Sequence, residues 1–186
     1  MRIIGGRFKG RSLKAPADHS VRPTSDRLRE TLFNILAHAY DDPAPDARVL
    51  DLFAGTGALG LEALSRGARF AQFVDDSAQG RGLIRANVET LGVAAQTKIF
   101  RRDATRMGQV HPHEPFSLVF CDPPYNQGLG CKALASALAG GWFSANALIV
   151  FEESSKAELD LPDALTLLEQ RDFGETQILF LQTPSA

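Results

Sequence analysis

Apolar and polar positions change period along the chain. Leu28, Leu32, Ile35, Leu36 and Ala39 recur at i, i+4, i+7, i+8 and i+11, the spacing of one helical face. Thr24 or Ser25, just after Pro23, is placed to cap that helix, and DDPAPD closes it. Short apolar runs then alternate with helical ones. Residues 48–53 (RVLDLF), 69–74 (RFAQFV), 97–100 (TKIF), 117–121 (SLVFC) and 147–152 (ALIVFE) read as strands. Between them, 57–66, 78–91, a short piece near 103–109, and 129–139 read as helices. Such alternation predicts an α/β protein with a parallel sheet and helices on both faces. The end of the chain differs. LTLLEQRDFGETQILFLQ holds two apolar runs around RDFGE, with Gly174 at the turn. This predicts a C-terminal hairpin whose last strand runs antiparallel to its neighbour.

The first residues have another texture. RIIGGRFKGRSL breaks short apolar-basic runs with glycines and reads as a basic hairpin or two short strands. Residues 1–22 are thus expected to form a basic arm, and 23–186 a single globular unit. Eight Lys/Arg against three Asp/Glu give residues 1–30 a charge of +5, while the remainder carries −7. A basic end on an acidic body suits a polyanionic partner, although edge lysines and arginines also serve to block strand pairing.

Composition narrows the class. With 186 residues, 44% hydrophobic and 23% charged, the chain can bury its own core without metals or crosslinks. Cys121 and Cys131 form no CxxC and have no histidine at ligand spacing, which suits buried thiols in a reducing compartment and predicts no metal. His111-Pro112-His113 reads as a surface loop, and Trp142-Phe143 as packing. No run approaches the roughly 18 apolar residues of a membrane span, and MRIIGGRFKG lacks the apolar core of a signal peptide. A cytoplasmic protein is expected.

Two motifs carry chemistry. LDLFAGTGALGLEAL places Gly55-x-Gly57-x-x-Gly60 between a strand and a helix. There glycines allow a tight turn, backbone contact with a ligand and close helix–sheet packing. Asp75 ends the second strand, 20 residues after Gly55, where a carboxylate can take both ribose hydroxyls of a dinucleotide or of S-adenosylmethionine. Asp51, inside the first strand, separates the two: it would repel a pyrophosphate and attract the ammonium and sulfonium of S-adenosylmethionine. Asp103-Ala104 can offer an acceptor and an N–H to adenine, although Asp103 can equally be an ordinary N-cap.

The second motif is Asp122-Pro123-Pro124-Tyr125, at the tip of the fourth strand. In a doubly wound sheet, ligands sit beyond the carboxyl ends of the strands where the strand order reverses, so Asp122 is expected beside the glycine loop. An exocyclic amine on a nucleobase is a poor nucleophile because its lone pair is delocalised. Acceptors at its N–H groups, Asp122 and the Pro123 carbonyl, favour a localised lone pair. The prolines remove N–H donors, and Tyr125 can stack on the base.

RIIGGRFKGRSL, RPTSDRLRETLFNIL, LDLFAGTGALGLEALSRGA and DPPY stand here in the order and spacing of the RsmD-type enzymes, and the chain resembles that family over nearly its whole length. These are bacterial S-adenosylmethionine-dependent methyltransferases that modify a guanine of 16S rRNA at N2. The resemblance implies a Rossmann-like class I fold with a mostly parallel seven-stranded sheet. It implies S-adenosylmethionine as methyl donor and RNA of the small subunit, or of its assembly intermediate, as partner; a monomer is expected. By position, Asp51, Phe53, Gly55 and Gly57 match the cofactor loop. Asp122, Pro123 and Tyr125 match the catalytic loop, with Asp122 also bordering the cofactor. Arg22, Thr24, Arg27 and Arg29 match the block over the active site, and Arg7, Lys9 and Arg11 fall in the basic hairpin. One departure is Asp75-Asp76, where relatives commonly carry Glu; this leaves the ribose ligand open between the two. An adenine-N6 methyltransferase using the same loop, a non-catalytic RNA-binding module and a dehydrogenase are the competing readings.

Overall fold

The strand–helix alternation closes into one seven-stranded sheet in the computed structural model, which describes residues 1–17 and 25–186. The strands are β1 (Arg48–Leu52), β2 (Phe70–Val74), β3 (Thr97–Phe100), β4 (Phe116–Cys121), β5 (Phe143–Ser154), β6 (Thr166–Phe173) and β7 (Thr176–Gln182). Their order is β3-β2-β1-β4-β5-β7-β6. The first five are parallel, and β7 runs antiparallel to both β5 and β6. The expected hairpin therefore forms, with its second strand slotted between β5 and the first. Strand order reverses between β1 and β4, where the register pairs Leu52 with Cys121. Both strands thus leave the sheet at the same level, side by side.

The helices are α1 (Asp26–Ala39), α2 (Ala58–Ser65), α3 (Ala78–Leu91) and α4 (Leu129–Ala139). Alternate side chains of the central strands feed two cores. Val49, Ala71, Phe73, Leu118 and Phe120 pack with α1, α2 and α3. Leu50, Leu52, Val119, Ile149 and Phe151 pack with α4. Burial on both faces explains why these strands read as continuous apolar runs rather than as alternation. The Ser25 hydroxyl accepts from the Leu28 N–H at 3.1 Å and caps α1; Thr24, the other candidate cap, lies outside the described residues. The helical piece near 103–109 shrinks to a single 3-10 turn, Ala104–Arg106.

The N-terminal segment closes as a hairpin, but not as two strands. It has one isolated bridge, Arg2 with Ser12, further backbone bonds such as Ile3 N–H to Arg11 C=O at 2.9 Å, and a 3-10 turn, Gly6–Phe8, at its tip. It is fastened to the body. Ile3 and Leu13 are buried in the core. The buried Glu62 carboxylate on α2 accepts from the N–H groups of Ile4 at 2.9 Å and Gly5 at 2.8 Å. The Ser65 hydroxyl accepts from Phe8 N–H at 3.0 Å and donates to Gly5 C=O at 2.5 Å. Gly6, at φ +74, passes so near that an added Cβ would stand 1.9 Å from the Ser65 carbonyl oxygen. Only a glycine fits there.

Candidate active site

The glycine loop after β1 is wound tightly. Phe53, Gly55 and Gly57 all have positive φ, at 56°, 60° and 78°. For a bulky Phe this conformation costs on the order of 1–3 kcal/mol and persists only where its surroundings hold it. Gly57 N–H donates to Ala54 C=O at 2.8 Å and closes the turn. One turn into α2, a Cβ on Gly60 would lie 2.5 Å from Phe73 Cε1 and 3.2 Å from Asp51 Oδ2. The missing side chain is what lets α2 sit down on β1 and β2. Gly60→Ala is expected to lose about 1–3 kcal/mol, the cost of overpacking, read as a lowered midpoint in urea. It should also weaken cofactor binding, because the new methyl group crowds Asp51 as well as Phe73.

Asp51 is buried in β1, and its Oδ2 accepts from Gly60 N–H at 3.0 Å. Burial pushes its carboxyl up to about 8; the Gly60 bond opposes this, and the nearby Asp75 carboxylate adds to it. Asp75 ties the loop to the sheet. Its Oδ2 accepts from Gly55 N–H at 2.8 Å, and its Oδ1 accepts from Ser77 N–H at 2.9 Å and Ser77 Oγ at 2.7 Å. Asp76 is exposed on the same wall. Asp103 caps its 3-10 turn, accepting from Thr105 N–H at 2.9 Å and Thr105 Oγ1 at 2.7 Å, and these bonds hold its carboxyl below the usual range. It forms the cavity wall together with the buried Ala104.

Asp122 continues β4, and its N–H reaches the Leu52 carbonyl at 3.5 Å. The neighbouring loop residues hold this tip in place. Pro123 is buried, and its Cγ would stand 2.9 Å from a Cβ added to Gly130. Tyr125 is half-buried rather than exposed. Its hydroxyl donates to the Glu152 carboxylate and lies 3.0 Å from Thr176 Oγ1. Asn126 N–H donates to Glu153 Oε1 at 3.0 Å. Asp51, Phe53, Gly55, Asp75, Asp103, Ala104, Asp122, Pro123 and Tyr125 line one cavity of about 750 Å³, within the range of small-molecule sites. Glu152, Leu28 of α1 and the α1 cap Ser25 also line it.

The wall decides the ligand class. Six carboxyl groups, those of Asp51, Asp75, Asp76, Asp103, Asp122 and Glu152, share the lining with one guanidinium residue, Arg102. A dinucleotide's pyrophosphate would be repelled by the ionised members of this set, whereas the cation-bearing nucleoside S-adenosylmethionine fits it. Among the described residues, no group of three or more His, Cys, Asp or Glu could hold a metal ion. Cys121 and Cys131 are free, buried thiols.

The basic residues divide. Arg7, Lys9 and Arg11 are exposed. Arg7 Nη2 donates to Gln96 Oε1, and Arg11 Nη2 to Thr90 C=O, each at 2.7 Å. Together with Ser65, these partners place the hairpin tip at the far end of α2 from the glycine loop. Arg27 is exposed at the start of α1, and Arg22 and Thr24 lie outside the described residues. Arg29 corrects an expectation. It is fully buried, donates to Asp26 Oδ1 at 3.0 Å and to Arg2 C=O, and lies 3.8 Å from Glu62. It ties α1 to α2 and the hairpin, and is not placed to meet phosphate. Its spacing from Leu32, Phe33 and Leu36 (i+3, i+4, i+7) put it on the apolar face from the start.

Three contributors escaped the sequence reading. Glu152 ends the ALIVFE run, the same position at a strand's carboxyl end that marked Asp122. Thr176 and Asn87 carry no local signal. The buried Asn87 side chain donates to Thr56 C=O at 3.0 Å and Lys14 C=O at 3.1 Å, and so links the glycine loop to the N-terminal segment.

Comparison with known proteins supplies the family. The family model described as conserved hypothetical protein 95 matches residues 1–182. The Escherichia coli K12 protein named ribosomal RNA small subunit methyltransferase D is 42% identical over 163 residues, 87% of this chain and 78% of that one. Its namesake in Haemophilus influenzae is 34% identical over 178 residues, 94% of this chain and 89% of that one. The solved structure of an Escherichia coli protein described as methyltransferase yhhF superposes with a TM-score of 0.84 at 34% identity, covering 100% of this chain and 99% of that one. The chain belongs to this family, that of the ribosomal RNA small subunit methyltransferase D enzymes.

Proposed function

We propose that the chain transfers a methyl group from S-adenosylmethionine to the exocyclic N2 amine of a guanine in 16S ribosomal RNA. One observation carries the reading: at the β1/β4 switch point, the glycine loop with its buried Asp51 and the Asp-Pro-Pro-Tyr tip open into the same cavity. The cofactor supplies a methyl group on a sulfonium. The chain supplies position and charge. Asp51 faces the amino-acid ammonium, the Asp75–Asp76 wall faces the ribose, and Asp103 with Ala104 borders the base. Asp122 and the Pro123 carbonyl accept from the target amine, localise its lone pair and stabilise the positive charge that develops on it. Tyr125, braced through its hydroxyl, stacks on the target base. Most of the acceleration comes from holding two reactants in line, with Asp122 placed to take the proton the amine releases.

Capture of the RNA is assigned to the N-terminal block: Arg7, Lys9, Arg11 and Arg27, with Arg22 and Thr24 beside them in sequence. The hairpin tip is separated from the cavity by the eight residues of α2, about 12 Å at 1.5 Å per residue. It therefore meets phosphates away from the target nucleotide, as an extended RNA in the small subunit or its assembly intermediate would offer. Neutralising Arg7, Lys9 and Arg11 together should weaken RNA binding and lower the salt slope by about 0.7 per lost phosphate contact, with kcat little changed. Unaltered affinity at every ionic strength would remove the hairpin from the interface. The same proposal has the chain act as a cytoplasmic monomer, which sedimentation of the purified protein checks for mass.

Mass-spectrometric mapping of rRNA from a deletion strain, before and after complementation, tests the reaction. One N2-methylguanine should vanish and return. A methyl group on adenine N6 would redirect the reading to the other substrate of this loop.

A further inference from the structure

We infer that Glu152 reads the N1–H of the target guanine and is a specificity-determining residue of the site; this rests on the guanine-N2 reading above. Strands β4 and β5 are parallel, with Cys121 opposite Phe151. Asp122 and Glu152 therefore follow side by side on neighbouring strands, about 4.8 Å apart in backbone. Side chains alternate along a strand. Phe120 and Val150 both pack into the core beneath α1–α3, so the residues two further on, Asp122 and Glu152, lead to that same side. Both line the cavity, and Glu152 is only 8% exposed. Its carboxylate is oriented by the Tyr125 hydroxyl, which Thr176 Oγ1 holds from the other side.

A carboxylate has about four acceptor sites, so one that is oriented by a phenol can also meet a donor on the base. Guanine displays adjacent donors, N1–H and the N2 amine, along one edge. Two neighbouring carboxylates match that edge: Asp122 at the amine that reacts, Glu152 at the N1–H that does not. Adenine presents a bare N1 lone pair there, which a carboxylate repels. A polar group buried to meet a donor rejects the base that lacks it far more strongly than an apolar wall could.

The test uses the full chain and RNA that carries the mapped target either as guanine or as 2-aminopurine. The analogue keeps the amine at C2 but has no hydrogen on N1. Single-turnover rates on guanine should exceed those on 2-aminopurine by roughly 10- to 100-fold in the parent chain, the range for a hydrogen bond to a charged group. Glu152→Ala should lose that preference: losing its bond to the Tyr125 hydroxyl slows both substrates by a common factor, and the rate on guanine falls roughly 10- to 100-fold further, so that the two rates converge. A merely structural loss would slow both substrates alike, and that result, or a preference that survives the substitution, overturns the inference. Calorimetry with S-adenosylmethionine confirms that the variant is folded; if the alanine variant fails it, Glu152→Leu, which also offers no acceptor to N1–H, is read by the same ratio. A parent chain that places no methyl on guanine N2 sinks the guanine reading and this inference with it, whereas a correct product with an unchanged ratio sinks the inference alone.

Discussion

Asp122→Ala should bind S-adenosylmethionine almost as the parent chain does, yet transfer the methyl group roughly a hundred- to ten-thousand-fold more slowly. The separation of effects comes from how the β4 tip is built. The loop has other holds on its shape. Pro123 is wedged near Gly130, Tyr125 is held by Glu152 and Thr176, and Asn126 N–H is held by Glu153. The donor side has its own supports in Asp51, Asp75 and the glycine loop. Removing Asp122 therefore takes away the acceptor aimed at the amine and leaves the two reactants in place. Calorimetry reads the first half of the prediction and single-turnover rates the second. A variant that transfers at the parent rate would show that positioning alone suffices and would strip Asp122 of its role. A variant that no longer binds the donor would make it a structural member of the cofactor wall.

The features legible in the sequence are those set by local chemistry. Helix α3 begins where Ser77 accepts from Gly80 N–H and ends at Gly92 in the left-handed region, and α4 is bounded by Gly128 and Gly140. Both were readable to the residue because their stops are spelled in Ser and Gly. The glycine loop and the Asp-Pro-Pro-Tyr tip were readable as neighbours on one cavity because turn glycines and paired prolines have few other uses at strand ends. The hidden features depend on partners far along the chain. Arg29 looked like one more cation of a basic block; its place on the apolar face of α1, together with Glu62 33 residues on, makes it an internal tie. The hairpin looked like a free arm because its anchors, Glu62 and Ser65, lie more than fifty residues away. Phe53 gives no hint of its positive φ, since sequence records preference and this residue is held against it. Glu152 read as the tail of a strand until the register set it beside Asp122.

Asp51 should give cofactor binding a steep dependence on pH. With the cavity open, burial lifts its carboxyl to about 8, so at pH 7 roughly nine in ten copies are protonated. An ammonium beside it favours the anion, and binding must therefore release a proton. Affinity is expected to rise by nearly tenfold per pH unit between about 6 and 7.5, because each binding event is linked to about one proton. Above about 8 the rise ends, and the loss of charge on the donor's own α-amino group, which titrates near 7.7–8.0, turns it downward. The stability of the unliganded chain should run the other way. A folded carboxyl that holds its proton more tightly than the unfolded one contributes stability that is full below about 4. That contribution is lost as pH rises through about 8. Asp51→Asn should abolish the acid limb of the affinity profile, silence the proton release seen by calorimetry in buffers of different ionisation heat, and flatten the stability slope over that window. The decisive comparison is between this variant and the parent chain. If Asp51→Asn keeps a tenfold-per-unit acid limb, the titrating group lies elsewhere in the cavity; if the parent chain shows no limb at all, Asp51 is already ionised and meets the cofactor without giving up a proton.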